Sequence, residues 1–199
     1  MDIISPFKLI LGSGSPRRQQ LLMEARIPFT IRAIPVEETY SSEMPVEEIA
    51  EYLAVKKAQA HQEIIRIDEI VITADSIVVW NQEVLGKPKD KEEAIKMLEN
   101  LSDEPHQVYT GVCFKTKHNM HSLTELTQVK FLPLSRIEIE YYIDQYQPFD
   151  KAGAYGIQDW IGHTKIEWIN GSYSNVMGLP VHIVYQELIK IRNEWIRLQ

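Results

Sequence analysis

The strongest constraint on the fold is the run from Ile70 to Trp80, Ile-Val-Ile-Thr-Ala-Asp-Ser-Ile-Val-Val-Trp. Its β-branched, apolar character reads as a strand, broken only by Thr73, Ala74, Asp75 and Ser76. An unpaired carboxylate is expensive to bury in a central strand. Asp75 is tolerable there if it sits at a strand end, binds a metal ion or meets a lysine. Strand-end carboxylates at the switch points of α/β sheets are common metal or base positions. The structural alternative is a carboxylate that accepts hydrogen bonds in a loop.

The flanking patterns place this strand in an α/β chain with a mixed sheet. Lys8 to Leu11 reads as a short buried strand, broken by Gly12-Ser13-Gly14-Ser15. Pro16 suits the first position of a helix running to about Ala25, with Ser15 as its N-cap. Phe29 to Ile34 reads as a second strand, and Glu37-Glu38 follows in a loop. Pro45 opens a long amphipathic helix whose apolar positions run from Val46 to Ile65. Asn81-Gln82 is a turn. Asp90 with Glu93 and Ser135 with Glu138 are spaced as capping boxes, the first for a helix through Leu101 and the second for one to about Tyr146. Gln107–Lys117 and Ser122–Leu132 read as a hairpin. Ala152–Ile157 and Lys165–Ile169 read as short strands. Pro180 begins a C-terminal helix with apolar positions from Val181 to Leu198. Paired strands after an opening βα alternation argue for α/β.

Length and composition narrow the class. The 199 residues predict one domain spanning 1–199, long enough to bury about 70% of its unfolded surface. With 21 basic against 28 acidic residues the net charge is −7, which argues against a long nucleic acid as partner. It leaves room for a small basic pocket. A single cysteine, Cys113, excludes an intramolecular disulfide and a thiolate metal cage, and its apolar surroundings read as core rather than nucleophile. Ile3-Ile4 and Leu9-Ile10-Leu11 are too short for a signal-peptide core, and no run is long enough to span a membrane. A cytoplasmic enzyme or binding protein is the expectation.

Four clusters carry chemistry. Ser13-Gly14-Ser15-Pro16-Arg17-Arg18 sets two hydroxyls and two guanidiniums at a strand-to-helix junction, where backbone N–H groups and the helix dipole favour an anion. Arginines in a first turn oppose that dipole unless an anion is present. The plain alternative is a capped surface helix with solvated arginines. Asp75 is the second cluster. Lys57, Lys87 and Glu37-Glu38 form the third. Each is ordinary as a solvated residue, but with Asp75 and the arginines they make a coherent site for a magnesium-bound polyphosphate. The fourth is Lys151 to Gln158 and Gly171 to Pro180, glycine-rich segments that suit either close approach to a ligand or tight turns. There Gln158 could read the edge of a base. The six histidines show no metal spacing.

These motifs, in this order, resemble the Maf family of nucleoside triphosphate pyrophosphatases over nearly the whole chain. Gly12 to Arg18 is similar to the family's opening motif, and Ala74-Asp75-Ser76 with Gly86-Lys87-Pro88 to its second block. Lys151 to Gln158 and Gly171 to Pro180 are similar to the third and fourth. The resemblance implies a Maf/Ham1-like (ITPase-like) α/β fold, a mixed twisted sheet with flanking helices and two lobes around a central cleft. It implies hydrolysis of a nucleoside triphosphate to the monophosphate and pyrophosphate with a divalent cation, Mg²⁺, Mn²⁺ or Co²⁺, and a homodimer. The proton acceptor falls on Asp75, which also joins Glu38 near the metal. The phosphate-binding positions fall on Ser13, Arg17, Arg18, Lys57 and Lys87, and the base-choice positions on Arg18, Ser76 and Gln158.

Within the family, Ala74-Asp75 and Gly156-Ile157-Gln158 resemble the branch acting on dTTP and UTP, which implies housecleaning of the nucleotide pool. Ser76 stands where that branch usually has threonine, keeping the hydroxyl and losing a methyl. Asp159-Trp160-Ile161-Gly162-His163 replaces a stretch of smaller residues. The alternatives are a 7-methyl-GTP or ITP/XTP pyrophosphatase, and a non-catalytic nucleotide-binding regulator of septum formation.

Overall fold

The computed structural model describes residues 4–197; Ile3 and the helical position expected at Leu198 lie outside them. The protein is α/β with a mixed sheet and flanking helices. Its strands are β1 (Lys8–Leu11), β2 (Thr30–Ile31), β3 (Glu69–Trp80), β4 (Glu83–Leu85), β5 (Pro105–Lys115), β6 (Met120–Phe131) and β7 (Ile166–Asn170). They pair in the order β2-β1-β3-β5-β6-β7, with β4 against β3. β1 is parallel to both β2 and β3, while β4 on β3 and β7 on β6 are antiparallel. The helices are α1 (Pro16–Glu24), α2 (Val46–Gln59), α3 (Lys91–Leu101), α4 (Arg136–Tyr146), α5 (Trp160–Lys165), α6 (Tyr173–Met177) and α7 (Val181–Arg197).

The chain divides into two compact units. Among the described residues, the first holds 4–75, 110–124 and 178–197; the second holds 76–109 and 125–177. In the first, α2 lies directly on β5. A Cβ at Gly111 would stand 2.3 Å from the Ala50 carbonyl and the Glu51 nitrogen, so only glycine lets the helix come this close. Beside it, Cys113 packs under Ala54 and Ala58. Thr73 of β3 donates its hydroxyl to the Ala54 carbonyl at 2.6 Å. These contacts fix the helix that carries Lys57. Far along the chain, Trp195 of α7 meets Phe7 edge-on at 5.6 Å.

In the second unit, Asn175 is fully buried and staples three segments. Its amide nitrogen donates to the Val108 and Glu125 carbonyls and to Thr127 Oγ1, at 3.0–3.2 Å. Much of the Gly171–Gly178 motif is therefore structural. His106, also buried, lies 2.8 Å from the Tyr155 hydroxyl, and both rings pack on Phe131.

Local signals predicted several boundaries well. Asp90 accepts from the Glu93 amide at 2.8 Å, although Glu93 returns its bond to Lys89 rather than to Asp90. The Ser135–Glu138 box is complete. Asn81 and Gln82 both have positive φ, the signature of a two-residue hairpin turn between β3 and β4. Other expectations need correction. The second strand shrinks to Thr30–Ile31. α2 stops at Gln59, and Ile65 instead packs with Ile10 and Val71 beyond it. Ala152–Ile157 is not a strand, because Gly153 and Ala154 adopt left-handed φ of 67° and 58° and form a 3-10 turn. The short elements β4, α5 and α6 have no counterpart in the sequence reading.

Two expectations follow. Gly111→Ala is expected to destabilise the protein by about 1–3 kcal/mol through overpacking against α2, read as a lower urea midpoint. Burial lowers His106 from the ordinary 6.5 to about 4. Between those values the unfolded chain binds a proton that the folded one excludes. The stability present above pH 6.5 therefore falls by about 3 kcal/mol as the pH drops to about 4. Urea unfolding across this range should slope less steeply in His106→Gln than in the wild type.

Candidate active site

Asp75 sits in the interior of β3, not at its end; it is 9% exposed and its carboxylate is held by a lysine. Lys57 Nζ lies 2.6 Å from Asp75 Oδ2 and 2.7 Å from Glu38 Oε1. One ammonium thus bridges a buried carboxylate and an exposed one. Of the three ways to tolerate Asp75, the folded chain uses the lysine. The bridge is reinforced from the neighbouring residue, since Lys56 donates to the Thr39 carbonyl and hydroxyl at 3.2 and 3.0 Å. Consecutive lysines near the end of α2 therefore grip the loop that carries Glu38.

His61 completes this grip and was not singled out by spacing. It is 1% exposed. Its Nδ1 lies 3.1 Å from the Lys57 carbonyl and its Nε2 2.9 Å from the Arg32 carbonyl. It ties the last turn of α2 to the segment leading toward Glu38. The available signal was its position four residues after Lys57.

The arginine cluster lies at the start of α1. Ser15 is the N-cap, as expected, but its hydroxyl makes no capping bond. Ser13 Oγ is the local hub instead, accepting from the Ser15 amide at 3.2 Å and from Arg18 Nη1 at 3.1 Å. Arg18 Nε donates to the Gly178 carbonyl at 2.8 Å, so the last glycine of the fourth motif aims this guanidinium. Burial lowers the Arg18 pKa; Asp75 opposes this, Arg17 adds to it and Glu38 opposes it. Ser13, Arg17, Arg18, Glu38, Lys57 and Asp75 thus share one electrostatic neighbourhood within the first unit. The first turn of α1 carries no acidic residue. A guanidinium pair, an ammonium and a helix N-terminus together suit a polyphosphate.

The remaining predicted residues belong to the second unit. Ser76 follows Asp75 on β3 and is half-buried. Lys87 is exposed in the loop after β4, and that loop is pinned by the Gly153 amide donating to the Gly86 carbonyl at 3.0 Å. Gln158 is half-buried beside Asp159, to which its Nε2 donates at 3.2 Å. Cys113, with its thiol pushed up to about 12 by burial, is core.

Residues 8–191 match the family model described as Maf-like protein. The chain belongs to the Maf family. A Bacteroides thetaiotaomicron protein named dTTP/UTP pyrophosphatase is 44% identical over 189 residues, covering 94% of this chain and 98% of its own. A Phocaeicola vulgatus protein of the same name is 46% identical over 192 residues, covering 96% of this chain and all of its own. The Ham1 protein of Staphylococcus aureus is similar over 62% of this chain and 71% of its own, with 14% identity and a TM-score of 0.44, too slight a likeness to carry an argument.

The family implies a divalent cation. Among the described residues no group of three or more His, Cys, Asp or Glu side chains could hold one unaided. Glu38 and Asp75 nevertheless already converge on one cation, the Lys57 ammonium. Two carboxylates are the donor set of an ion that takes its other ligands from phosphate oxygens and water, as Mg²⁺ does. The residues fit an ion that arrives with a nucleotide.

Lys57→Met should leave the Asp75 carboxylate buried without its ammonium, destabilising the fold by about 3–5 kcal/mol. Adding Asp75→Asn removes the stranded charge and should recover part of that loss. Chemical unfolding of the two variants checks the order.

Proposed function

We propose that this protein hydrolyses nucleoside triphosphates, dTTP and UTP foremost, to the monophosphate and pyrophosphate, and so clears the nucleotide pool. The observation that carries the reading is Lys57 held between Asp75 and Glu38, in the same electrostatic neighbourhood as Arg18 and Ser13. The names of the relatives support dTTP and UTP as substrates. The catalytic unit of this reading is one domain spanning 1–199. The reading also carries a cytoplasmic location, beside the triphosphate pool, and a homodimer, as the family resemblance implies. No helix among the described residues is long and apolar enough to cross a membrane.

Arg17, Arg18, Lys57 and Lys87 neutralise the triphosphate, and the α1 N-terminus offers its amides to phosphate oxygens. Glu38 and Asp75 would hold a divalent ion, which would supply Lewis-acid charge to the triphosphate. Asp75 orients a water and accepts its proton as the oxygen attacks the α-phosphorus. The bond from that phosphorus to the bridging oxygen breaks, and pyrophosphate leaves. Lys57, 2.6 Å from Asp75 Oδ2, holds that carboxylate in place before the water arrives. Arg18, Ser76 and Gln158 are the positions assigned to base choice. Most of the acceleration comes from positioning and charge stabilisation.

Asp75→Asn should remain folded and lose at least about 100-fold in kcat, the share of a positioned base. Pyrophosphate release from a panel of dTTP, UTP, 7-methyl-GTP, ITP and XTP with Mg²⁺, Mn²⁺ or Co²⁺ checks the whole reading. A fully active Asp75→Asn enzyme removes the assigned base. A wild type that binds nucleotides but releases no pyrophosphate favours a regulator instead.

A further inference from the structure

The second unit contains a chain of hydrogen bonds that ends on the Gln158 amide. The Gly156 amide donates to the Tyr142 hydroxyl at 3.0 Å, and that hydroxyl donates to Asp159 Oδ2 at 2.7 Å. Gln158 Nε2 donates to Asp159 Oδ1 at 3.2 Å. The direction of each bond is fixed by chemistry. A backbone N–H can only donate, and a carboxylate can only accept. Tyr142 is fully buried, and burial with Asp159 raises its phenol well above the ordinary value, so it stays a donor. Gln158 must therefore turn its nitrogen to Asp159, which leaves its oxygen as the uncommitted end.

That oxygen is buried and has no partner. An unmet buried amide oxygen is a standing cost, relieved when a ligand donor reaches it as the atoms covering it give way. The backbone is shaped around the lock as well. A Cβ at Gly156 would stand 2.6 Å from Asp159 Oδ2 and 2.7 Å from Gln158 Nε2, so a side chain there would collide with the bond itself.

We propose that Asp159, steadied by Tyr142, is a positioning residue for base choice: it locks the Gln158 amide with Oε1 presented as an acceptor, selecting bases whose ring nitrogen carries a hydrogen. This rests on the reading that a pyrimidine nucleotide is the substrate. Thymine and uracil carry a hydrogen on N3 and can donate it to Oε1. Cytosine has a lone pair at N3, so two acceptors would face each other. The lock thus distinguishes uridine from cytidine through an atom that neither Asp159 nor Tyr142 touches. Purines with a ring N–H share this feature and are separated by size rather than by the lock.

Asp159→Asn reverses the logic. Its oxygen can still accept from Tyr142, and its new amide nitrogen then donates toward Gln158. The Gln158 amide turns over and offers Nε2 to the base, which suits cytosine. The test is calorimetric binding of the α,β-methylene analogues of UTP and CTP, which reports preference without turnover, alongside pyrophosphate release from UTP and CTP. The wild type is expected to prefer the uridine analogue by about tenfold or more, and Asp159→Asn to abolish or invert that ratio. Tyr142→Phe should lower it partway, and serves as the readout if Asp159→Asn fails to fold by circular dichroism. A merely structural role would weaken both analogues alike and leave the ratio unchanged. A folded Asp159→Asn protein with the wild-type ratio overturns the proposal, as does a wild type without preference. A wild type that shows the ratio and its loss in the variant, but hydrolyses nothing, overturns the pyrophosphatase reading and leaves the lock standing. One that binds neither analogue overturns both.

Discussion

A carboxylate in the middle of a buried strand needs a cation, and Lys57 is that cation. Much of the first unit is arranged to deliver it. Gly111 lets α2 rest on β5, Thr73 ties α2 to the same strand that carries Asp75, and His61 holds the helix end to the segment leading to Glu38. Each contact is ordinary alone. Together they hold a flexible four-carbon side chain within hydrogen-bond distance of two acids. A lysine left free to wander would lose much of its pairing energy to side-chain entropy. The packing around α2 is thus also the electrostatic design of the site.

The chemistry divides between the two compact units. Residues that suit phosphate, metal and proton transfer belong to the first: Ser13, Arg17, Arg18, Glu38, Lys57 and Asp75. Those that suit a base, Ser76 and Gln158, belong to the second, with Lys87. The boundary falls between Asp75 and Ser76, adjacent residues of one strand. The peptide bond that joins the assigned base to its neighbour is also where the two sets of contacts part.

What was legible in the sequence was mostly local. Pro16 at a helix start, Ser135 with Glu138 and the Asn81-Gln82 turn depend on residues within a few positions, so composition reveals them. The ordered motifs carried the family and hold most of the candidate site residues, with Glu38 and Lys57 lying between them. The choice among three settings for Asp75 was not legible, because the deciding lysine is 18 residues away on another element. Lys56, His61 and Asp159 were missed as working residues for the same reason. Their deciding partners, the Thr39 oxygens, the Arg32 carbonyl and the Tyr142 hydroxyl, are brought near by folding. Ala152–Ile157 misled because its β-like composition was overridden by left-handed backbone at Gly153 and Ala154.

Cys113 lies beneath α2, fully buried against Ala54 and Ala58, with its thiol held protonated. Being the chain's one sulfhydryl, it cannot cross-link within the molecule, and in the closed state it is chemically silent toward oxidants and alkylating reagents. Its reactivity is gated by the lifting of α2 from β5, the same helix that carries Lys57. A reagent that reaches this sulfur must first displace the helix that carries Lys57, so its alkylation would read how often that helix stands open.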